Sequence, residues 1–406
     1  MRNKNKVKVM VMWAVLGIAV LVIWAAVLVG LREGNPVHPE ALRYFAPDFL
    51  QRAGEYQQAS LYLYLARQVV NLFFLVLAAR WALSRLQNPD ISFLHVVVYI
   101  FFFFLLLHIL TLPLDFYRGY VLEHRFALSS QIPLLWFIDY LKALFISLIV
   151  STLIFAGLYG VMNLSPQKWW LLAGGGFSIF LLLHAYFYPI LIQPLFYNFT
   201  PLEDEILREE MVEIASRAGI EVADILVADA SRRTHKANAF FTGLGASRRI
   251  VLYDNLLENF SREEVLVVIA HEMGHWKYSH IFKGILMASA GAFLSLYLFK
   301  VVLGMMKAGP GPGVIPLLIL FFTLVSIVSM PLQNGVSRVF ERQADREALV
   351  LTRNREAFVT LKVNLAHSNL SLVWPHPLIK GVLYSHPPVM ERIEYARYKF
   401  RGPEGF

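Results

Sequence analysis

Two histidines four residues apart, His271 and His275, bracket Glu272 in the pentapeptide HEMGH. On a helix, side chains at i and i+4 leave from one face, so both imidazoles can converge on a single Zn²⁺ at about 2.0–2.1 Å each. Glu272 then stands beside the metal without ligating it. Its carboxylate can take a proton from water that the metal acidifies to a pKa of roughly 7, and pass it to a leaving amine. That is the chemistry of a zinc peptidase. Three fixed letters make a thin motif, met by chance on the order of once in a hundred chains of this length, so its surroundings have to carry the reading.

The stretch SREEVLVVIAHEMGHWKYSH opens with Ser261 as a helix cap and Glu264 three residues on, the pattern of a capping box. Downstream, SRVFERQADREA sets Glu341 and Asp345 one helical turn apart. Glu341 can complete a His₂Glu site with water in the fourth position, the arrangement of catalytic zinc, and Asp345 can accept a hydrogen bond from the far nitrogen of a zinc histidine. Glu347 is a rival third ligand, and a helix that merely carries surface charges has the same letters. His280, five positions after His275, is expected to rotate away from the ligand face and mark a helix end. His386, followed by two prolines in SHPPVMER, is held where a helix starts and can donate to a developing oxyanion. ANAFFTG reads as a strand that either lends a sheet edge to an extended substrate or lies in the core.

These residues need a scaffold, and composition says where it lies. At 57% hydrophobic and only 16% charged, the 406 residues carry too little polar surface for a soluble enzyme and imply an integral membrane protein. The net charge of +8 is scattered without a Lys/Arg run, which points to anionic lipid headgroups and away from nucleic acid. Cysteine is absent, so disulfides, thiolate metal sites and cysteine nucleophiles are excluded together, and a metal must sit on His, Glu or Asp. Apolar runs near 9–31, 61–84, 93–115, 137–162 and 168–193 predict five spans, and runs near 281–305 and 313–333 two more. The first reads as a retained helix, since no small-residue cleavage site follows it.

Four segments result: an N-terminal membrane domain over 1–193, the first part of a metalloprotease domain with HEMGH over 194–280, spans six and seven over 281–335, and the C-terminal part of that domain over 336–406. Two spans between HEMGH and Glu341 bring both to the same membrane face. The 194–280 segment has an amphipathic helix in EDEILREEMVEIASRAGI, with Ile206, Met211, Ile214, Ala215 and Ala218 at helical spacing. Strands follow in ADILVADA, ANAFFTG and RRIVLYD, the last two as a hairpin through LGAS. His108, His184, Asp115, Asp139 and Lys142 fall within or at the edges of spans, where ionisable groups either line an interior cavity or snorkel to the interface. The run FFFFLLL reads as lipid-facing bulk.

Taken together, LPLDFYRGYVLEHRFALSSQ, WFIDYLK, PLFYNFTPLED, NAFFTGLGASRRIVLYDNLL, VIAHEMGHWKYSH, SRVFERQAD and YSHPPVMERI resemble the integral-membrane zinc metalloproteases called CAAX prenyl protease type 1. The likeness spans most of the chain. It implies an all-α-dominated polytopic fold, with seven transmembrane helices enclosing a chamber and a small α+β zincin-like domain whose site faces inward. It further implies His271, His275 and Glu341 as ligands of one Zn²⁺, Glu272 as general base, Asp345 as orienter, Asn238 as a substrate-backbone contact and His386 as oxyanion stabiliser, with Arg392 matching the HPP-x-x-x-Arg pattern beside them. The implied substrate is a peptide or protein, prenylated at its C-terminus in the family. The implied location is the bacterial inner membrane, or the endoplasmic reticulum in a eukaryote, with the catalytic face cytoplasmic. Lys and Arg of the N-terminal tail and short loops (Arg2, Lys4, Lys6, Lys8, Arg80, Arg85, Lys300, Lys307) collect on the opposite face, against the positive-inside rule. The C-terminal RGPEGF lacks a KDEL-type signal. Two competing readings stand beside this one: a quality-control protease acting on unprenylated chains, and a multi-span transporter or scaffold with a non-catalytic zinc site.

Overall fold

The computed structural model describes residues 2–85, 91–221, 224–244, 248–309 and 311–401. Among them, seven helices are long and apolar enough to cross a bilayer. They are α1 (Arg2–Glu33), α2 (Pro47–Arg85), α3 (Phe93–Phe116), α5 (Pro133–Leu164), α6 (Trp169–Phe187), α10 (His280–Met306) and α11 (Val314–Thr352), with a short α4 (Leu122–Arg125) continuing α3. The Phe run in α3 divides: Phe103 and Phe104 pack inward, while Phe101 and Phe102 face outward to where lipid lies. Arg67 donates to Asp115 across the bundle at 2.7 Å, so this intramembrane acid has a cation as partner. Helices α2 and α11 each have 39 residues. At 1.5 Å per residue that is about 58 Å, nearly twice a hydrocarbon core of ~30 Å, so both must project beyond the bilayer. The projecting part of α11 carries Glu341 and Asp345, and the helix passes Pro331 without a break.

Outside the spans stands a four-stranded sheet in the order β1-β2-β4-β3. Strand β1 (Phe199–Pro201), which no periodicity announces, pairs antiparallel with β2 (Asp224–Ala228); β2 runs parallel to β4 (Arg249–Tyr253), and β3 (Ala239–Thr242) pairs antiparallel with β4. The hairpin turn expected at LGAS falls largely on 245–247, outside the described residues. Being last in the order, β3 is an edge strand among the described residues. Helix α7 (Glu205–Arg217), capped by Asp204 through Leu207 N at 2.9 Å, buries Leu207, Met211, Ile214 and Ala215. Ile206, expected on that face, is instead 61% exposed, because the apolar stripe starts one residue later. With α8 (Asp254–Asn259), α9 (Arg262–Lys277), α12 (Arg355–Asn369) and α14 (Val389–Glu394), these elements share one core around Leu252, Ile269, Met273 and Phe358, while α13 (Pro377–Leu383) packs Ile379 and Val382 against Val27 and Leu31 of α1 and Leu61 of α2.

The two halves meet along the segment that leads into β3. Residues 126–131, between α4 and α5, lie beside 231–236. His235 N and Thr234 Oγ1 donate to Leu128 O at 2.9 and 3.2 Å, and Ser129 Oγ donates to Arg233 O at 2.6 Å. Asp139, on α5, takes a two-pronged contact from Arg233 at 2.9 and 3.3 Å. Lys236 lies 2.7 Å from Glu123 of α4. On its other side the same segment is held by Ser368 and by Asn255, whose Nδ2 donates to Thr234 O and Lys236 O.

Candidate active site and metal centre

Helix α9 starts with a complete capping box: Ser261 N donates to Glu264 Oε2 at 2.8 Å and Glu264 N to Ser261 Oγ at 3.3 Å. Glu264 is also anchored by Asn364 of α12 at 2.7 Å, which fixes the pitch at which the helix presents its last two turns. There the Nε2 atoms of His271 and His275 stand 3.2 Å apart. Glu341 brings Oε2 to 3.3 Å from the Nε2 of His271 and Oε1 to 3.3 Å from that of His275. Two donors bound tetrahedrally at 2.0–2.1 Å would be roughly 3.3 Å apart, so the spacing suits a metal between them. Glu341 Oε2 is buried and has no hydrogen bond, an arrangement that is costly unless a cation completes it. Two imidazole lone pairs and a carboxylate are a donor set for zinc, and the residues fit the ion.

Helix α11 can come this close because of Gly274. A Cβ there would lie 2.8 Å from Ala344 Cα and 3.1 Å from Glu347 Cβ, so only glycine lets the backbones approach. As one of the two free positions of the motif, it carries no signal in sequence. Glu347 does not join the cluster: it is turned to the other side of the contact, accepting from Lys277 Nζ at 2.6 Å and Tyr278 OH at 3.2 Å.

Behind His271, Asp345 Oδ1 approaches Nδ1 to 3.1 Å in a bent contact. Burial pushes His271 toward the neutral ring, but Asp345 and Glu341 outweigh it and raise its pKa above the ordinary value. Asp345 is in turn gripped by Arg392 through Nε at 2.7 Å and Nη2 at 2.5 Å. Lys362, 4% exposed, lies 3.5 Å from the same carboxylate. Burial and the Arg392 charge lower its pKa to about 8, against the pull of Asp345. Lys362 was legible only as a charge interrupting the apolar stripe of Phe358, Leu361 and Leu365.

His386 reaches the site. Its Nε2 is 3.3 Å from Glu341 Oε1 while most of the side chain stays exposed. Glu272 Oε2 accepts from Phe241 N of the edge strand at 3.3 Å. Asn238 lies one residue before that strand, its carbonyl accepting from Tyr253 N at 3.0 Å. His280 is not turned away as the spacing suggests: it lies 3.0 Å from His275, because the helix breaks between them. Among five spanning helices an apolar cavity of about 810 Å³ opens, lined by Leu153, Phe177, Leu318 and Phe322 among others.

Residues 201–399 match the model of peptidase family M48, and residues 31–198 that of the CAAX prenyl protease N-terminal segment with five membrane helices. The chain is 31% identical over 399 residues to the uncharacterized metalloprotease YhfN of Bacillus subtilis, covering 92% of this chain and 93% of that protein. It is 32% identical over 338 residues to the CAAX prenyl protease 1 homolog of Arabidopsis thaliana, covering 79% of each. With CAAX prenyl protease 1 of Saccharomyces cerevisiae it shares 30% over 313 residues, 71% of this chain and 68% of that one. The crystal structure of S. mikatae Ste24p superposes with a TM-score of 0.78 at 24% identity, over 96% of this chain and 97% of the other, and has the same fold.

Proposed function

The chain belongs to peptidase family M48 and is an integral-membrane metalloprotease, and on that premise we propose that it is a zinc endopeptidase whose ion is held by His271, His275 and Glu341. The observation that carries this is the meeting of those three side chains within 4.8 Å, although two spans of the chain separate Glu341 from the histidines. Zinc bound there supplies a Lewis acid that polarises a carbonyl and lowers the pKa of water to about 7. Glu272 is the general base, its carboxylate steadied by Phe241 N beside the donor set. His386, exposed at the rim of the cluster, is placed to donate to a developing oxyanion, and Asp345 with Arg392 holds His271 in its ligating tautomer. Beside Phe241 N, which Glu272 holds, the outer edge of β3 offers further backbone groups to an extended peptide, and Asn238 at its start adds a side-chain contact to the substrate backbone. Family membership leaves nothing in favour of a transporter or scaffold.

Glu272→Gln should lower cleavage of a test peptide by about 10²–10⁴-fold while zinc content stays at that of the wild type. Undiminished activity in this variant would sink the mechanism.

We extend the reading to a prenylated peptide as substrate. Support comes from the plant and yeast relatives, both described as CAAX prenyl proteases, and from the apolar cavity. Met330 lines that cavity and sits eleven residues before Glu341 on α11, roughly 16 Å along the helix. A prenylated peptide should be cleaved faster than its unmodified twin; equal rates would assign the enzyme to unmodified chains. The catalytic face is proposed as cytoplasmic on the strength of the family likeness, against the loop-charge distribution. As the chain has no cysteine, Glu258→Cys decides the point: protection from an impermeant maleimide in intact cells supports it, and labelling refutes it.

A further inference from the structure

Were α9 to continue unbroken, His280 would point away from His275. Instead α9 ends at Lys277, Ser279 takes a left-handed conformation with φ 54°, and α10 begins at His280. That reversal, unfavourable for a residue with a Cβ, returns the His280 ring to the site. Its Nδ1 stands 3.0 Å from His275 Nδ1, and its Nε2 stands 2.9 Å from Gln343 Oε1. The ring is 5% exposed and stacks on Phe340, with centroids 4.2 Å apart and 9° between planes, so its orientation is locked.

Counting protons along this row gives one consistent arrangement. His275 Nε2 faces His271 Nε2 and Glu341, and to act as a ligand it must present a lone pair. The single proton of neutral His275 is then on Nδ1, 3.0 Å from His280. His280 must accept it with its own Nδ1, which puts the His280 proton on Nε2, opposite the carbonyl oxygen of Gln343. The reverse order would place a proton on His275 Nε2, in the space between His271 and Glu341.

We propose that His280 and Gln343 are positioning residues: a neutral hydrogen-bonded row that holds His275 as its Nδ1–H tautomer and so presets it as a metal ligand. The inference rests on the reading that the cluster holds a metal. It gives the two ligand histidines different outer partners, a carboxylate for His271 and an uncharged imidazole–amide pair for His275. Gln343 lies two residues after Glu341, so α11 supplies both the third ligand and the last acceptor of the row.

The test is zinc affinity of the full-length protein in detergent, measured by competition with a chelator. His280→Phe keeps a ring on Phe340 and loses the acceptor; loss of such a partner typically weakens metal binding about 10–100-fold. The metal-free unfolding temperature should change far less than the affinity. His280→Asn, whose side-chain oxygen can replace Nδ1, should recover most of the loss, and Gln343→Met should weaken binding by a smaller factor. Wild-type affinity in both His280→Phe and Gln343→Met overturns the proposal. If His280→Phe does not fold, the Gln343→Met measurement decides alone. Wild-type protein that binds no zinc overturns the metal reading itself, an outcome separate from failure of the row.

Discussion

Lys362 carries an ammonium into a site where Asp345 and, more weakly, Glu341 welcome it, and Arg392 opposes it from the Asp345 carboxylate. Its pKa of about 8, against 10.5 for a free lysine, has a definite consequence for stability. Between those values the unfolded chain binds more protons than the folded one, so this group's contribution to stability rises with pH across the window. Below about 8 the full cost of burying the charge is present. In the metal-free protein, the stability of wild type relative to Lys362→Met should therefore improve by about 2 kcal/mol between pH 7 and pH 9.5, since one pKa unit is worth about 1.4 kcal/mol. Parallel melting curves at the two pH values check it, and a difference that stays constant rules it out.

At this scale the legible residues were those whose meaning lies in local spacing. His271, Glu272 and His275 share a turn of one helix, and Asp345 follows Glu341 by another. The choice between Glu341 and Glu347 was not legible, because it depends on the side from which α11 meets α9. Lys362 and His280 matter through partners 17 and 63 positions away, Asp345 and Gln343, and spacing contains nothing of either.

Among elements, the pairing of α9 with α11 is decisive, and Gly274 is its limiting contact. Glycine in a helix is intrinsically worse than alanine by about 0.5–1 kcal/mol, which taken alone would make Gly274→Ala stabilising. The added Cβ meets backbone at 2.8 Å, however, and overpacking of this kind typically costs about 1–3 kcal/mol, so the clash wins. We expect Gly274→Ala to lower the unfolding temperature and, by displacing Glu341 from the histidines, to weaken zinc binding as well; calorimetry and metal titration of one preparation read both. A stabilised variant with full metal content would contradict the geometry. The capping box of α9 was readable from SREE, as was α7 from its stripe, because caps and stripes are local. The break at Ser279 was not: WKYSH is compatible with a continuing helix, and Phe340 with Gln343 selects the broken one.

Over the whole molecule, the seven spans followed from composition, since a bilayer demands long apolar runs and nothing subtler. The sheet was read in three of its four strands; β1 has three residues, ends in proline and exists only because β2 offers it an edge. The resemblance implied a chamber among the spans, but none of His108, His184, Asp115, Asp139 and Lys142, the span residues that could have marked it, lines this cavity. It can be probed at Gly176, which lines it and has nothing within 4 Å of where a Cβ would lie. Gly176→Phe should fill the space without straining the bundle, removing the preference for a prenylated peptide over its unmodified twin and leaving cleavage of the twin unchanged. Equal loss on both peptides would separate the cavity from lipid recognition.

The contact between 126–131 and 231–236 bears on what can be detached from this enzyme. All three candidate ligands and Glu272 lie after residue 200, within the part of the chain that matches the peptidase family. The approach to β3, however, is held by Leu128, Ser129, Asp139 and Glu123, which lie in the membrane half. If β3 is the edge that takes the substrate, as proposed, a protein cut at that boundary would keep the candidate ligands and Glu272 but leave the approach to β3 to Ser368 and Asn255. On that proposal the helices before residue 200 brace the strand that receives the substrate as well as mooring the protease.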